Sequence, residues 1–175
     1  PRVRLEAVRA ASFFDSAKAA DVALAILKQP TDYYLDYTLK ETMRQLEPVW
    51  RRALSSGEAL AADNPKGIER ILASVPNAGL ANLPRIPGVL EAFLTRTGIT
   101  DSDRSLALAD LAELNGRDRT TTLLAMLDKH GNDAAAAANI ASLLPLLPQE
   151  ELRAQRSKVV ELTKSGAAIS PSAWA

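Results

Sequence analysis

Helix-opening signals recur along this chain at a nearly even spacing, and that recurrence constrains the fold more than any other feature. Successive openings fall near Pro1, Asp32, Pro65, Asp101 and Asn132, at steps of 31, 33, 36 and 31 residues. Each interval holds two short stretches whose apolar residues recur every three or four positions, the period of an amphipathic helix. Helices this short cannot bury their apolar faces alone, so helical pairs must stack on neighbouring pairs. The expected fold is all-α, a right-handed α-solenoid of about five helical hairpins, with a closed helical bundle as the alternative. Composition points the same way. The 175 residues include 31 Ala and 26 Leu against 5% aromatics, and Ala and Leu lose little side-chain freedom in a helix, whereas strands draw on β-branched and aromatic residues.

The local signals define the elements. Val3, Ala7, Ala10, Ala11 and Phe14 predict a helix over 2–14. Asp15 and Ser16 supply turn and capping chemistry before a second stripe, Ala20, Ala23, Leu24 and Leu27, which Gln29 and Pro30 end. Thr31 and Asp32 can cap a third helix with the stripe Leu35, Leu39, Met43 and Leu46. Pro48 then opens a new short helix to Ser56, since proline is well tolerated in a first helical turn. Asn64-Pro65 reads as a cap followed by a first-turn proline, ahead of Ile68, Ile71, Leu72 and Val75. The segment 76–88 holds Pro76, Pro84, Pro87, Gly79 and Gly88, the densest run of breakers, and reads as a flexible or functional loop. Beyond it come helices through Val89–Leu94, 101–116, 117–130, 132–147 and 148–164. Residues 1–165 are expected to form a single helical-repeat domain and 166–175 a loose tail.

Several chemistries are excluded by what the sequence lacks. With no cysteine there is no disulfide, thiolate nucleophile, Fe–S ligand or Cys-x-x-Cys-His haem attachment. His130 is the single histidine, beside Gly131 at a predicted helix end, where a cation meets free carbonyls; it has no partners at metal-ligand spacing. No Gly-rich phosphate loop occurs, and no apolar run approaches the roughly 18 residues of a membrane span. Lys plus Arg and Asp plus Glu balance at 21 each, and no basic block emerges; the Arg51-Arg52 pair is too small to hold phosphates, so nucleic acid is not an expected partner. The acidic pairs Asp101 with Asp103 and Glu150 with Glu151 sit in predicted first turns, where the helix dipole favours negative charge. The chain opens at Pro1 without a leader-like stretch and reads as an excerpt of a longer protein.

One segment stands out. All three tyrosines, Tyr33, Tyr34 and Tyr37, and one of the two tryptophans, Trp50, lie within 20 residues. With Arg44 and Arg51 they form a candidate interaction surface, weighed against packing of the aromatics between repeats. Lys40 with Arg44 and Glu47 with Arg51 fall at i,i+4 spacing and read as a solvated face, the second pair crossing the break at Pro48. No two carboxylates are specified as facing one cleft.

Pro1-Arg2-Val3-Arg4-Leu5-Glu6-Ala7-Val8-Arg9-Ala10 resembles the opening helix of a HEAT-type repeat. Together with Tyr33-Tyr34-Leu35-Asp36-Tyr37-Thr38-Leu39-Lys40-Glu41-Thr42 and Leu46-Glu47-Pro48-Val49-Trp50, it resembles the HEAT region of large secreted haem-binding proteins of the PVC bacterial group, often labelled membrane-bound dehydrogenases. The likeness covers residues 1–56. It implies a parent chain with a sugar-dehydrogenase-like β-propeller and a cytochrome c-type module, and a periplasmic or extracellular location. Neither module is seen in these residues, so the resemblance implies a connecting or docking scaffold with no cofactor and no catalytic residue of its own. The expected role is therefore a non-catalytic helical-repeat scaffold that contacts neighbouring domains or another protein. The alternatives are a HEAT-type enzyme such as a bilin lyase, metal hydroxylase or alkylpurine glycosylase, a nucleic-acid-binding solenoid, or a small-molecule site in the loop 76–88. A hydroxylase needs repeated His-Glu pairs, which one histidine does not supply.

Overall fold

The computed structural model describes residues 2–58, 60, 61 and 63–164, and every regular element among them is helical. The expected tail 166–175 lies outside the described residues. By their contacts the residues gather into two compact units, Pro1–Pro84 and Arg85–Ala175. The boundary falls inside the breaker-rich segment 76–88.

The first unit contains α1 (Arg2–Ala11), α2 (Ala17–Leu24) continued by a 3-10 turn (Ala25–Lys28), α3 (Tyr33–Gln45), α4 (Glu47–Ser55), α5 (Pro65–Leu72) and α6 (Asn77–Leu80). Ser16, Asp32 and Asn64 each place a side-chain oxygen on a free N–H of the following first turn, which satisfies donors that a helix leaves unpaired. Leu46 ends α3 and begins α4, with Pro48 in the first turn of α4. The main packing runs α1 on α2 and α3, and α2 and α3 on each other and on α4. Val8, Ala20, Leu24, Leu35, Leu39 and Leu54 are buried between them.

Two expectations fail here for physical reasons. The helix expected over 2–14 stops at Ala11, because Ser12, Phe13 and Phe14 donate to carbonyls only three residues back, a tighter turn that ends α-helical pairing. Its inward face is Leu5, Val8 and Ala11, while Val3, Ala7, Ala10 and Phe14 face solvent. Both stripes have helical spacing, and the position of α3, whose Thr42 hydroxyl donates to Val8 O at 3.3 Å, selects the first. The breaker-rich segment is also more ordered than a loop: it contains α6, whose Leu80 is completely buried.

The second unit contains α7 (Pro87–Thr95), α8 (Asp101–Leu114), α9 (Arg119–His130), α10 (Ala134–Ala141), a 3-10 turn (Leu144–Leu146), α11 (Gln149–Ala154) and α12 (Arg156–Lys164). Thr100, Asp118 and Asp133 cap α8, α9 and α10. The principal contacts run α7 to α8, α8 to α9, α9 to α10 and α10 back to α7. These four helices therefore close around Leu94, Leu108, Leu111, Leu123, Leu127 and Ile140. Polar ties complete the ring: the Asn139 amide donates to Thr95 O at 2.8 Å, and Ser142 Oγ donates to Asp101 Oδ1 at 2.8 Å. Glu151 does more than favour a first turn, since it accepts a 2.5 Å hydrogen bond from the buried hydroxyl of Thr120.

Candidate functional site

The site is organised by α3. Its buried stripe, Leu35, Leu39, Met43 and Leu46, fixes the rotation of the helix against α1, α2 and α4. At 100° per residue, Tyr33, Tyr37, Lys40 and Arg44 then share one outward ridge, and all four are exposed. A groove flanks the ridge on either side.

The tyrosines occupy the N-terminal half of this ridge. They do not pack between helices, which corrects the core reading: Tyr33, Tyr34 and Tyr37 are 75%, 71% and 58% exposed. They pack on one another instead. Tyr33 meets Tyr34 edge-on at 5.6 Å between centroids and stacks near-parallel on Tyr37 at 6.4 Å. The local reason is the cap at Asp32, which accepts from Leu35 N at 2.9 Å. It starts the helix at Tyr33, so the ring pair 33 and 37 is separated by one full turn.

Between α1 and α3 lies a groove of about 360 Å³. Tyr37 and Thr38 stand at one end and Ser12 and Gln45 at the other, where the Gln45 amide donates to Ser12 O at 3.0 Å. Glu6 and Glu41 both line it, with Arg9 beside them. The sequence does not reveal that pairing, because the two carboxylates sit on different helices. Glu41 is held by Arg44 at 2.6 Å, so Arg44 pairs at i,i+3 and not within the i,i+4 pattern that includes Lys40.

On the other flank, α3, α4 and the end of α5 enclose a groove of about 380 Å³. Met43, Trp50 and Ile71 form its floor, and Lys40, Arg44 and Arg70 stand around it. Trp50 is 3% exposed, and its indole N–H donates to Met43 O at 2.9 Å. It is thus a core residue that also lines the groove. Arg51 is likewise committed within the fold. Its guanidinium lies 4.9 Å from the Trp50 ring centroid, pairs with Glu47 at 2.6 Å and donates to Ser74 O at 3.4 Å. Because α4 already begins at Glu47, the Glu47–Arg51 pair lies within one helix.

Of the six residues singled out in the sequence, the structure thus places Tyr33, Tyr37 and Arg44 on one exposed ridge, with Tyr34 exposed beside Tyr33. Lys40 and Arg70, which sequence reasoning did not join, complete the second groove. Neither groove contains histidine or cysteine, and their hydroxyls, amides, rings and charges are groups suited to binding. Among the described residues no three His, Cys, Asp or Glu side chains are grouped to hold a metal ion, and no helix is long and apolar enough to cross a membrane. Comparison with family models, with curated proteins and with solved structures returns no match.

Proposed function

We propose that this chain is a non-catalytic helical-repeat scaffold, one segment of a larger secreted redox protein, that holds a neighbouring domain or protein partner against the α3 ridge. The observation that carries the reading is the tyrosine cluster. Three phenol rings that are more than half exposed, and ordered on one another, offer a large amphipathic contact area at a low entropic cost on binding. Tyrosine is enriched at protein interfaces for that reason.

The repeat reading draws its support from the first unit. There α1 packs on α3 and α2 on α4, with α1 on α2, α3 on α4 and α2 on α3, the neighbour pattern that two stacked hairpins make. The ring of α7 to α10 supports a bundle-like arrangement for the second unit, so the HEAT-like assignment is proposed for residues 1–56, where the sequence resemblance lies. The secreted redox context rests on that resemblance.

Two measurements test the function together. Purified chain mixed with haem is expected to give no shifted Soret band; a stoichiometric band overturns the scaffold reading. Peptides selected from a random phage-displayed library on the wild type are expected to include binders that weaken at least tenfold on a Tyr33→Ser, Tyr34→Ser, Tyr37→Ser triple variant. If every selected peptide binds the two proteins equally, the ridge is not the docking surface.

A further inference from the structure

We infer that the groove enclosed by α3, α4 and α5 recognises a short acidic protein segment bearing one apolar anchor beside its carboxylates. The inference takes from the proposed function only that the first unit binds protein; it concerns a different groove and adds the chemistry of the partner.

Charge complementarity is the first ground. The chain as a whole is neutral, yet Lys40 on α3 and Arg70 on α5 meet at this groove with Arg44. The carboxylate in the lining, Glu47, is already taken by Arg51 at 2.6 Å. The side chains of Lys40 and Arg70 have neither a hydrogen bond nor an ion pair among the described residues, whereas Arg44 at the same groove is matched to Glu41 at 2.6 Å, as Lys28, Arg51, Arg85, Arg104 and Lys129 are to carboxylates elsewhere. Two exposed cations from different helices, thirty residues apart in sequence, thus face one groove without an internal counter-charge. Opposed potentials across an interface speed encounter and exclude wrong partners.

The floor is the second ground. Met43, Trp50 and Ile71 come from three different helices, and Trp50 is fixed by its hydrogen bond to Met43 O. An apolar side chain entering here meets a preformed surface, and the methionine thioether adapts to its shape. A volume of about 380 Å³ accommodates one such side chain and its flanking backbone. A nucleic acid would find cations but no ring to stack on, because the Trp50 face is covered by Arg51 and the residue is 3% exposed. Tyr37, the tyrosine nearest Lys40, lines the other groove, between α1 and α3, so the favoured occupant is peptide.

The test uses fluorescein-labelled ten-residue peptides and fluorescence polarisation at 50 and 300 mM salt. One peptide carries Asp and Glu around a central Leu-Phe pair; the others replace the acids by Asn and Gln, replace Leu-Phe by Ser-Ser, or are exchanged for a single-stranded oligonucleotide of equal charge. The acidic peptide is expected to bind, and to weaken at least tenfold on loss of either its acids or its Leu-Phe pair and at least threefold at the higher salt. A Lys40→Glu, Arg70→Glu double variant is expected to lose tenfold or more, with an unchanged circular dichroism spectrum, because both side chains are exposed. The Tyr33, Tyr34, Tyr37 triple variant is expected to bind the acidic peptide as the wild type does, which separates this groove from the tyrosine ridge. No binding of the acidic peptide, equal binding by the double variant, equal binding of the neutral peptide, or tighter binding of the oligonucleotide each overturns the inference. If the double variant loses its fold, Lys40→Gln and Arg70→Gln read the same loss without charge reversal.

Discussion

The side-chain amide of Asn64 donates to the carbonyl of Leu24 at 2.8 Å, across 40 residues of sequence, while its oxygen accepts from Gly67 N at 3.2 Å. One buried side chain thus caps α5 and ties it to the end of α2. A second tie lies alongside: Ala61, held at φ +50°, donates its N–H to Asp21 Oδ1 at 2.8 Å. Left-handed backbone at a residue with a side chain is costly, so the carboxylate must hold it there. Replacing Asn64 by Ala removes both the cap and the tie to the Leu24 carbonyl. The expected loss is about 1–3 kcal/mol, about 1 from the cap and the rest from the lost buried hydrogen bond, measured as a lower urea midpoint at unchanged slope.

Gly67 lies against that same amide. A Cβ built on it would stand 2.8 Å from Asn64 Nδ2 and 3.0 Å from Ala61 Cβ. In an open helix, Gly→Ala stabilises by about 1 kcal/mol. Here Gly67→Ala is expected to destabilise by about 1–3 kcal/mol, because the clash displaces a side chain that must stay in place. A double-mutant cycle checks the cause: in the Asn64→Ala background the cost of Gly67→Ala should fall by about 1 kcal/mol or more. An unchanged cost would trace the clash to Ala61 instead.

What could be read in the sequence follows from how local each decision is. Asp32, the stripe Leu35, Leu39, Met43 and Leu46, and the break at Pro48 are decided by neighbours within a turn or two, and α3 and α4 form as their residues predict. The inward face of α1 is not decided locally, since Val3-Ala7-Ala10 and Leu5-Val8-Ala11 both have helical spacing and only the position of α3 discriminates. The same holds for the tyrosines: nothing in their spacing distinguishes an outward ridge from a packed seam. At the candidate site, Arg44 is visible in sequence because it is near the aromatics. The meeting of Lys40 with Arg70, and of Glu6 with Glu41, requires the tertiary arrangement of helices that sequence spacing does not encode.

Trp50 sits where core and groove meet, so its substitution separates two contributions. Trp50→Ala removes a buried ring and is expected to cost about 3–5 kcal/mol. Trp50→Phe keeps an aromatic floor but loses the N–H donated to Met43 O and weakens the stacking with Arg51. About 1–2 kcal/mol is expected for that change. Differential scanning calorimetry of the two variants should therefore rank them, with Phe retaining most of the wild-type Tm. Equal losses would mean that the hydrogen bond, and not the buried volume, holds α3 to α4.

Acid should weaken the second unit through two carboxylates at helix starts, Asp101 in the first turn of α8 and Asp118 at the cap of α9. The Asp101 carboxylate is held below its ordinary range by the hydroxyl of Ser142 and then by the Arg104 guanidinium, at 2.8 and 2.9 Å. Asp118 is held low by the Thr121 backbone N–H and then by the Thr121 hydroxyl, both at 2.7 Å. A carboxyl whose folded pKa lies below its unfolded value of about 3.9 binds its proton more readily in the unfolded chain. Its contribution is therefore complete above that value and is lost as pH falls through the lower, folded one. Both groups are solvent-exposed, so each contributes no more than about 1 kcal/mol. Protonating Asp101 has a further effect, because the buried Arg104 then keeps only its bond to Arg96 O. The urea midpoint is expected to hold between pH 7 and 5 and to fall below pH 4. Asp118→Asn, which keeps an oxygen on the Thr121 N–H but cannot titrate there, should make that fall shallower while changing stability little at pH 7. A fall as steep as that of the wild type would remove the Asp118 cap from the acid response.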